Sequence, residues 1–76
     1  MKFWIVKRPK NNNVIVTVAR NKCDGTYSFV NLTKMHICPC KFESIEAAIA
    51  DMDRKMEKGE INRYEEIKYP IVENGL

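Results

Sequence analysis

The chain is poor in the residues that punctuate or staple a fold: its 76 residues include three glycines, three prolines, three cysteines, one tryptophan and one histidine. An odd cysteine count makes a complete disulfide framework impossible, so the thiols are expected to be reduced and the compartment cytoplasmic. Long apolar runs are also missing. The N-terminal stretch Met1-Lys2-Phe3-Trp4-Ile5-Val6-Lys7 offers four consecutive apolar residues, too few for a signal-peptide core and far from the ~20 that a membrane span needs. No membrane partner and no cofactor is expected. At 45% hydrophobic and 30% charged residues, the composition is that of one small folded domain, which at this size buries only about 60% of its unfolded surface.

Charge is abundant and unevenly placed. Residues 1–41 hold eight bases against the single acid Asp24, and residues 42–76 hold five bases against nine acids. The net +3 therefore conceals a basic first half and an acidic second half, a pattern that speaks of a partner more than of a fold.

β-branched and aromatic residues concentrate over about 3–7, 14–20 and 26–32, each bounded by turn chemistry. Pro9-Lys10-Asn11-Asn12-Asn13 and Asp24-Gly25 are the two turns, the second matching a two-residue type I′ hairpin. A fourth strand fits 35–38, ended by Pro39. A helix is expected over roughly 45–58, with Ser44 as its N-cap and Gly59 as the left-handed residue that ends it. Ile45, Ala48, Ile49, Met52 and Met56 make its apolar stripe, opposite Glu46, Asp53 and Glu57. The expected fold is thus α+β: an antiparallel meander of three or four strands, one helix packed across it, and an extended docked segment at 60–76.

Hairpins closing on Asn11-Asn12 and Asp24-Gly25 put Trp4, Val6, Ile15, Thr17, Ala19, Val30 and Leu32 on one face of the sheet. Phe3, Ile5, Val14, Val16, Val18, Tyr27 and Phe29 fall on the other. Both faces are apolar and one helix covers one of them, so the C-terminal segment, a second copy of the chain or a ligand such as nucleic acid must cover the second.

The functional expectation is a small non-catalytic accessory module that binds protein through its basic sheet side, as a homodimer or with another protein. The alternative is RNA or DNA binding, with Tyr27 and Phe29 as stacking surfaces among Lys7, Arg8, Arg20 and Lys22. Three strands followed by a helix resemble the latter part of a double-stranded-RNA-binding domain. That family places a lysine-rich segment where its last helix begins, whereas Phe42-Glu43-Ser44-Ile45-Glu46 is acidic, and the chain is not assigned to it.

His36-Ile37-Cys38-Pro39-Cys40 is the one cluster of metal-ligand types, with His36, Cys38 and Cys40 on one side of an extended chain and Cys23 as a fourth donor. A single proline between thiols departs from the usual zinc-knuckle spacing, and so short a loop is hard to close as a disulfide. No metal site is expected. A Cys40–His36 pair is formally a nucleophile and base, but two residues of one extended stretch rarely face each other, and no catalysis is expected.

Overall fold

A computed structural model describes residues 2–67. Its elements are β1 (Phe3–Lys7), β2 (Val14–Arg20), β3 (Tyr27–Asn31), β4 (His36–Ile37), α1 (Ile45–Glu57) and β5 (Arg63–Ile67). The strands form one antiparallel sheet in the order β4-β3-β2-β1-β5. Sequential neighbours pair as a meander through β4; α1 then carries the chain across the sheet to its far edge, where β5 pairs with β1. The molecule measures 36 × 32 × 19 Å, and the short dimension is what one sheet plus one helix occupies at about 10 Å each.

The helix follows its local signals closely. Ser44 Oγ accepts from the Ala47 N–H at 3.0 Å, satisfying an amide that has no partner within the first turn. At the other end Gly59 sits at φ 79°. The Glu60 N–H donates to the Lys55 carbonyl at 2.9 Å and the Gly59 N–H to the Met56 carbonyl at 3.1 Å, the paired bonds of a Schellman ending. Of the expected apolar stripe, Ala48 and Met52 are buried, Ile49 is half-buried, and Ile45 and Met56 lie at the exposed margin.

Both hairpins differ from expectation, with different consequences. The β2–β3 connection is not a two-residue turn, because only Gly25 has positive φ there. The Asn21 N–H bonds the Thr26 carbonyl at 2.7 Å and the Gly25 N–H bonds the Asn21 carbonyl at 2.8 Å, closing a wider loop. Asp24 Oδ1 accepts from the Thr26 N–H at 3.1 Å and from the Thr26 hydroxyl at 2.6 Å, an Asx arrangement that favours this loop over the tight turn. Arg20 then faces Tyr27, two positions from the tight-turn register, and an even shift leaves each side chain on its expected face.

The β1–β2 connection shifts by an odd number and reverses one strand. Pro9–Asn11 forms a short 3-10 turn with Lys10 at φ 65° and Asn11 at φ 58°, which sets Trp4 opposite Val16 and Val6 opposite Val14. Trp4 and Val6 therefore join Val14, Val16, Val18 and Phe29, and not Ile15, Thr17 and Val30 as expected. This mixed face is the one α1 covers: Trp4, Val6, Val14, Val16, Phe29, Ala48, Met52 and Ile61 form the buried core. Phe29 meets Phe42 edge-on at 5.5 Å between ring centroids.

The segment expected to dock after the helix does so at an edge. Arg63–Ile67 extends the sheet beside β1, and the Tyr64 hydroxyl donates to Asp53 of α1, tying the new edge strand to the helix. That bond also raises the Tyr64 pKa, because it stabilises the protonated phenol beside a carboxylate. The rest of the expected docked segment, 68–76, lies outside the described residues.

This division of the sheet predicts unequal truncation costs. Phe29→Ala is expected to destabilise by about 3–5 kcal/mol through lost burial and a cavity under α1. Phe3→Ala, on the face away from the helix, is expected to cost about 1 kcal/mol or less in the monomer. Urea unfolding of dilute protein checks both.

Candidate functional site

Side chains directly opposite each other in an antiparallel pair share a face, so the register defines the second surface. Phe3 faces Thr17 and Ile67, Ile5 faces Ile15 and Glu65, and Val30 faces Thr17 and Ile37. Phe3, Ile5, Ile15, Val30, Ile37 and Ile67 thus form an apolar surface on the side away from α1. Ile37 is 65% exposed and Phe3, Ile5, Ile15 and Val30 are partly exposed, in contrast to Trp4 at 3% and Val14 at 4% beneath the helix. Among the described elements none lies over this face. Its polar positions are Thr17 and Ser28 within the sheet and Lys7, Arg63 and Glu65 at the β1–β5 end. Thr17 and Ser28 are themselves buried, at 5% and 4% exposed, and both are satisfied: the Thr17 hydroxyl donates to the Lys2 carbonyl at 2.6 Å and the Ser28 hydroxyl to the Cys40 carbonyl at 2.6 Å.

The cationic and aromatic residues singled out from the sequence are not brought together. Lys7 faces Arg63 on the uncovered side, with its Nζ 4.0 Å from Glu65, which also takes Arg63 at 2.7 Å. Arg8 turns toward the helix side and donates through Nε to the Asn12 carbonyl at 2.8 Å. Arg20 stands opposite Tyr27, with its guanidinium against Gly25. Lys22 is exposed in the β2–β3 turn. Tyr27 is half-buried and exchanges backbone hydrogen bonds with Phe42 at 2.8 Å in both directions. Phe29 is 8% exposed and lies in the core on the helix side, beneath Lys55, and not on the open sheet face. β5 brings Glu65 and Glu66 of the acidic second half up beside β1 and its Lys7.

His36, Cys38 and Cys40 do lie on one side of their segment, the helix side. The Cys38 N–H bonds the Phe29 carbonyl at 2.8 Å, and both thiols pack against the core. The Cys40 N–H points at Cys38 Sγ, 3.4 Å away. Burial, and secondarily the hydrogen bond with Cys38, push the Cys40 thiol up from its ordinary value, which is opposite to the activation a nucleophile needs. Cys23 is exposed in the β2–β3 turn. Among the described residues, no three or more His, Cys, Asp or Glu side chains group so as to hold a metal ion, and no helix is long and apolar enough to cross a membrane.

A further feature was not legible from sequence. Between the C-terminal half of α1 and the sheet lies a cleft of ≈ 230 Å³. Its floor and walls are Val6, Val14, Val16, Phe29, Met52 and Ile61, and its rim carries Arg8, Asn31, His36, Cys38 and Lys55. These residues come from both hairpins, the helix and the loop before β5. Only the corrected β1–β2 register places Val6 beside Val14 in its floor.

Compared with known proteins, the chain matches no family model, no curated protein and no solved structure.

The β2–β3 turn yields a pH prediction. Hydrogen bonds from Thr26, then the Lys41 ammonium at 2.9 Å, hold the Asp24 carboxyl well below the usual carboxylate range. A carboxyl whose folded pKa is depressed contributes stability above its unfolded value of about 3.9 and loses it as pH falls through the folded value. The melting-temperature advantage of the native chain over Asp24→Asn is therefore expected to be constant above about pH 5 and to shrink steadily below it. Thermal unfolding of both proteins across that range measures it.

Proposed function

We propose that this chain is a small non-catalytic protein-interaction module whose uncovered sheet face binds a second copy of itself. The observation that carries the reading is the apolar surface of Phe3, Ile5, Ile15, Val30 and Ile37, opposite the one face that α1 covers. Contiguous apolar surface of this kind on a small domain marks an interaction site. Charge at its margin favours a like partner. Lys7, Arg63 and Glu65 stand side by side at the β1–β5 end, so a two-fold arrangement can set a cation of one copy against the carboxylate of the other. The position of Phe29 in the helix-side core, away from the open sheet face, argues against nucleic acid as the first reading. Short β4, two residues long, blunts one sheet edge, so face-to-face contact is favoured over strand addition there.

Sedimentation equilibrium tests this reading. The expected result is a concentration-dependent rise from the 8.9 kDa chain mass to twice that value. Val30→Lys is expected to weaken self-association more than about tenfold, since burying one such side chain is worth about 1.5–3 kcal/mol. A monomer at every concentration, or a Val30→Lys variant that associates unchanged, would overturn it. Salt-steep binding of a mixed-sequence oligonucleotide would favour the nucleic-acid alternative instead.

A further inference from the structure

On the other side of the sheet, and independently of that interface, we propose that the cleft under the C-terminal half of α1 binds a small monocarboxylate with a compact apolar body. Size sets the first limit. A cavity of about 150 Å³ holds benzene, whereas pockets for drug-sized molecules begin near about 300 Å³. At ≈ 230 Å³, this cleft suits a single ring or a short branched chain with one small polar head.

Chemistry sets the second limit. The floor, Val14, Val16 and Phe29 with Met52 beside them, offers no hydrogen-bonding side-chain group, so the inner part of an occupant must be apolar. Charge at the mouth has one sign. Arg8 and Lys55 line it together with His36, and no carboxylate does. Lys55 Nζ lies 5.9 Å from the centre of the Phe29 ring, so it stands directly above the apolar floor. Its acidic neighbour Asp51, at 3.3 Å, is shared with Arg54 at 3.2 Å, which leaves the ammonium under-neutralised. Arg8 commits only Nε, to the Asn12 carbonyl, and among the described residues its terminal nitrogens have no acceptor. Two cations above an apolar well match an acid whose head stays at the mouth and whose body enters, with the guanidinium supplying a fork for the carboxylate.

Full-length protein titrated with phenylacetate, followed by amide nitrogen–proton NMR, tests the proposal against phenylacetamide as the neutral analogue. The expected outcome is saturable shifts confined to Phe29, Asn31, Cys38, Met52, Lys55 and Ile61, with the amide at least about tenfold weaker, or about 1.4 kcal/mol. Lys55→Met keeps the apolar stem, removes the charge, and is expected to weaken phenylacetate by about tenfold while leaving phenylacetamide unchanged. Arg8→Gln, in the β1–β2 turn, is expected to do the same and serves if Lys55→Met perturbs the spectrum elsewhere. Non-saturating or scattered shifts up to about 10 mM, a range that includes all but the feeblest affinities, would overturn the proposal. Equal affinity for acid and amide would overturn it too.

Discussion

The packing of Ala48 and Met52 of α1 onto Trp4, Val6, Val14, Val16 and Phe29 is the constraint on which the rest of the molecule depends. A domain this small has one core to build, and it builds it with one helix on one side of a sheet. That choice fixes which strand positions must be apolar. It also strands the apolar residues at the alternate positions, because a strand's period of two admits no third side. Among the described residues α1 is the one lid, and the face opposite it is left without another.

The same packing explains why the cleft exists. A single helix cannot cover the whole sheet face evenly, and α1 ends in a Schellman turn at Gly59 before the chain pairs β5 with β1. The space between the last turns of the helix, the Ile61 loop and the β1–β2 turn is left open above Val14 and Val16. Arg8 and Lys55 come to its mouth because one lies between β1 and the turn that follows it and the other sits on the sheet-facing shoulder of the helix, both places where a long side chain lays its stem on apolar surface and keeps its charge in water.

Much of the secondary structure was legible because its signals are local. β1 and β2 are where their β-branched and aromatic residues put them, and Ser44 and Gly59 bound the helix as their chemistry requires. The first hairpin departs from its local signal for a physical reason: Pro9 starts a 3-10 turn, and Lys10 joins Asn11 in the left-handed region, which lengthens the connection by an odd count and reverses the faces of β1. Asp24-Gly25 marked a hairpin correctly but not its size, since the Asp24 carboxylate bonds forward to Thr26 instead of leaving the turn tight. β5 carries Glu65 and Glu66 within Arg63–Ile67 and has no clean alternation, so only its tertiary pairing with β1 makes it a strand. At the β1–β5 edge the partition of charge along the chain is undone, because that pairing sets Glu65 beside Lys7. The cleft was out of reach altogether, being assembled from six separate segments.

The most direct test of the account is the solvent exposure of the two faces, read as methyl relaxation by a soluble gadolinium chelate. In dilute protein, Ile5, Ile15 and Val30 are expected to relax strongly and to become protected as concentration rises, while Val6, Val14 and Val16 stay protected throughout. Equal protection of both sets at every concentration would contradict it, because the chain would then carry its own cover for the second face.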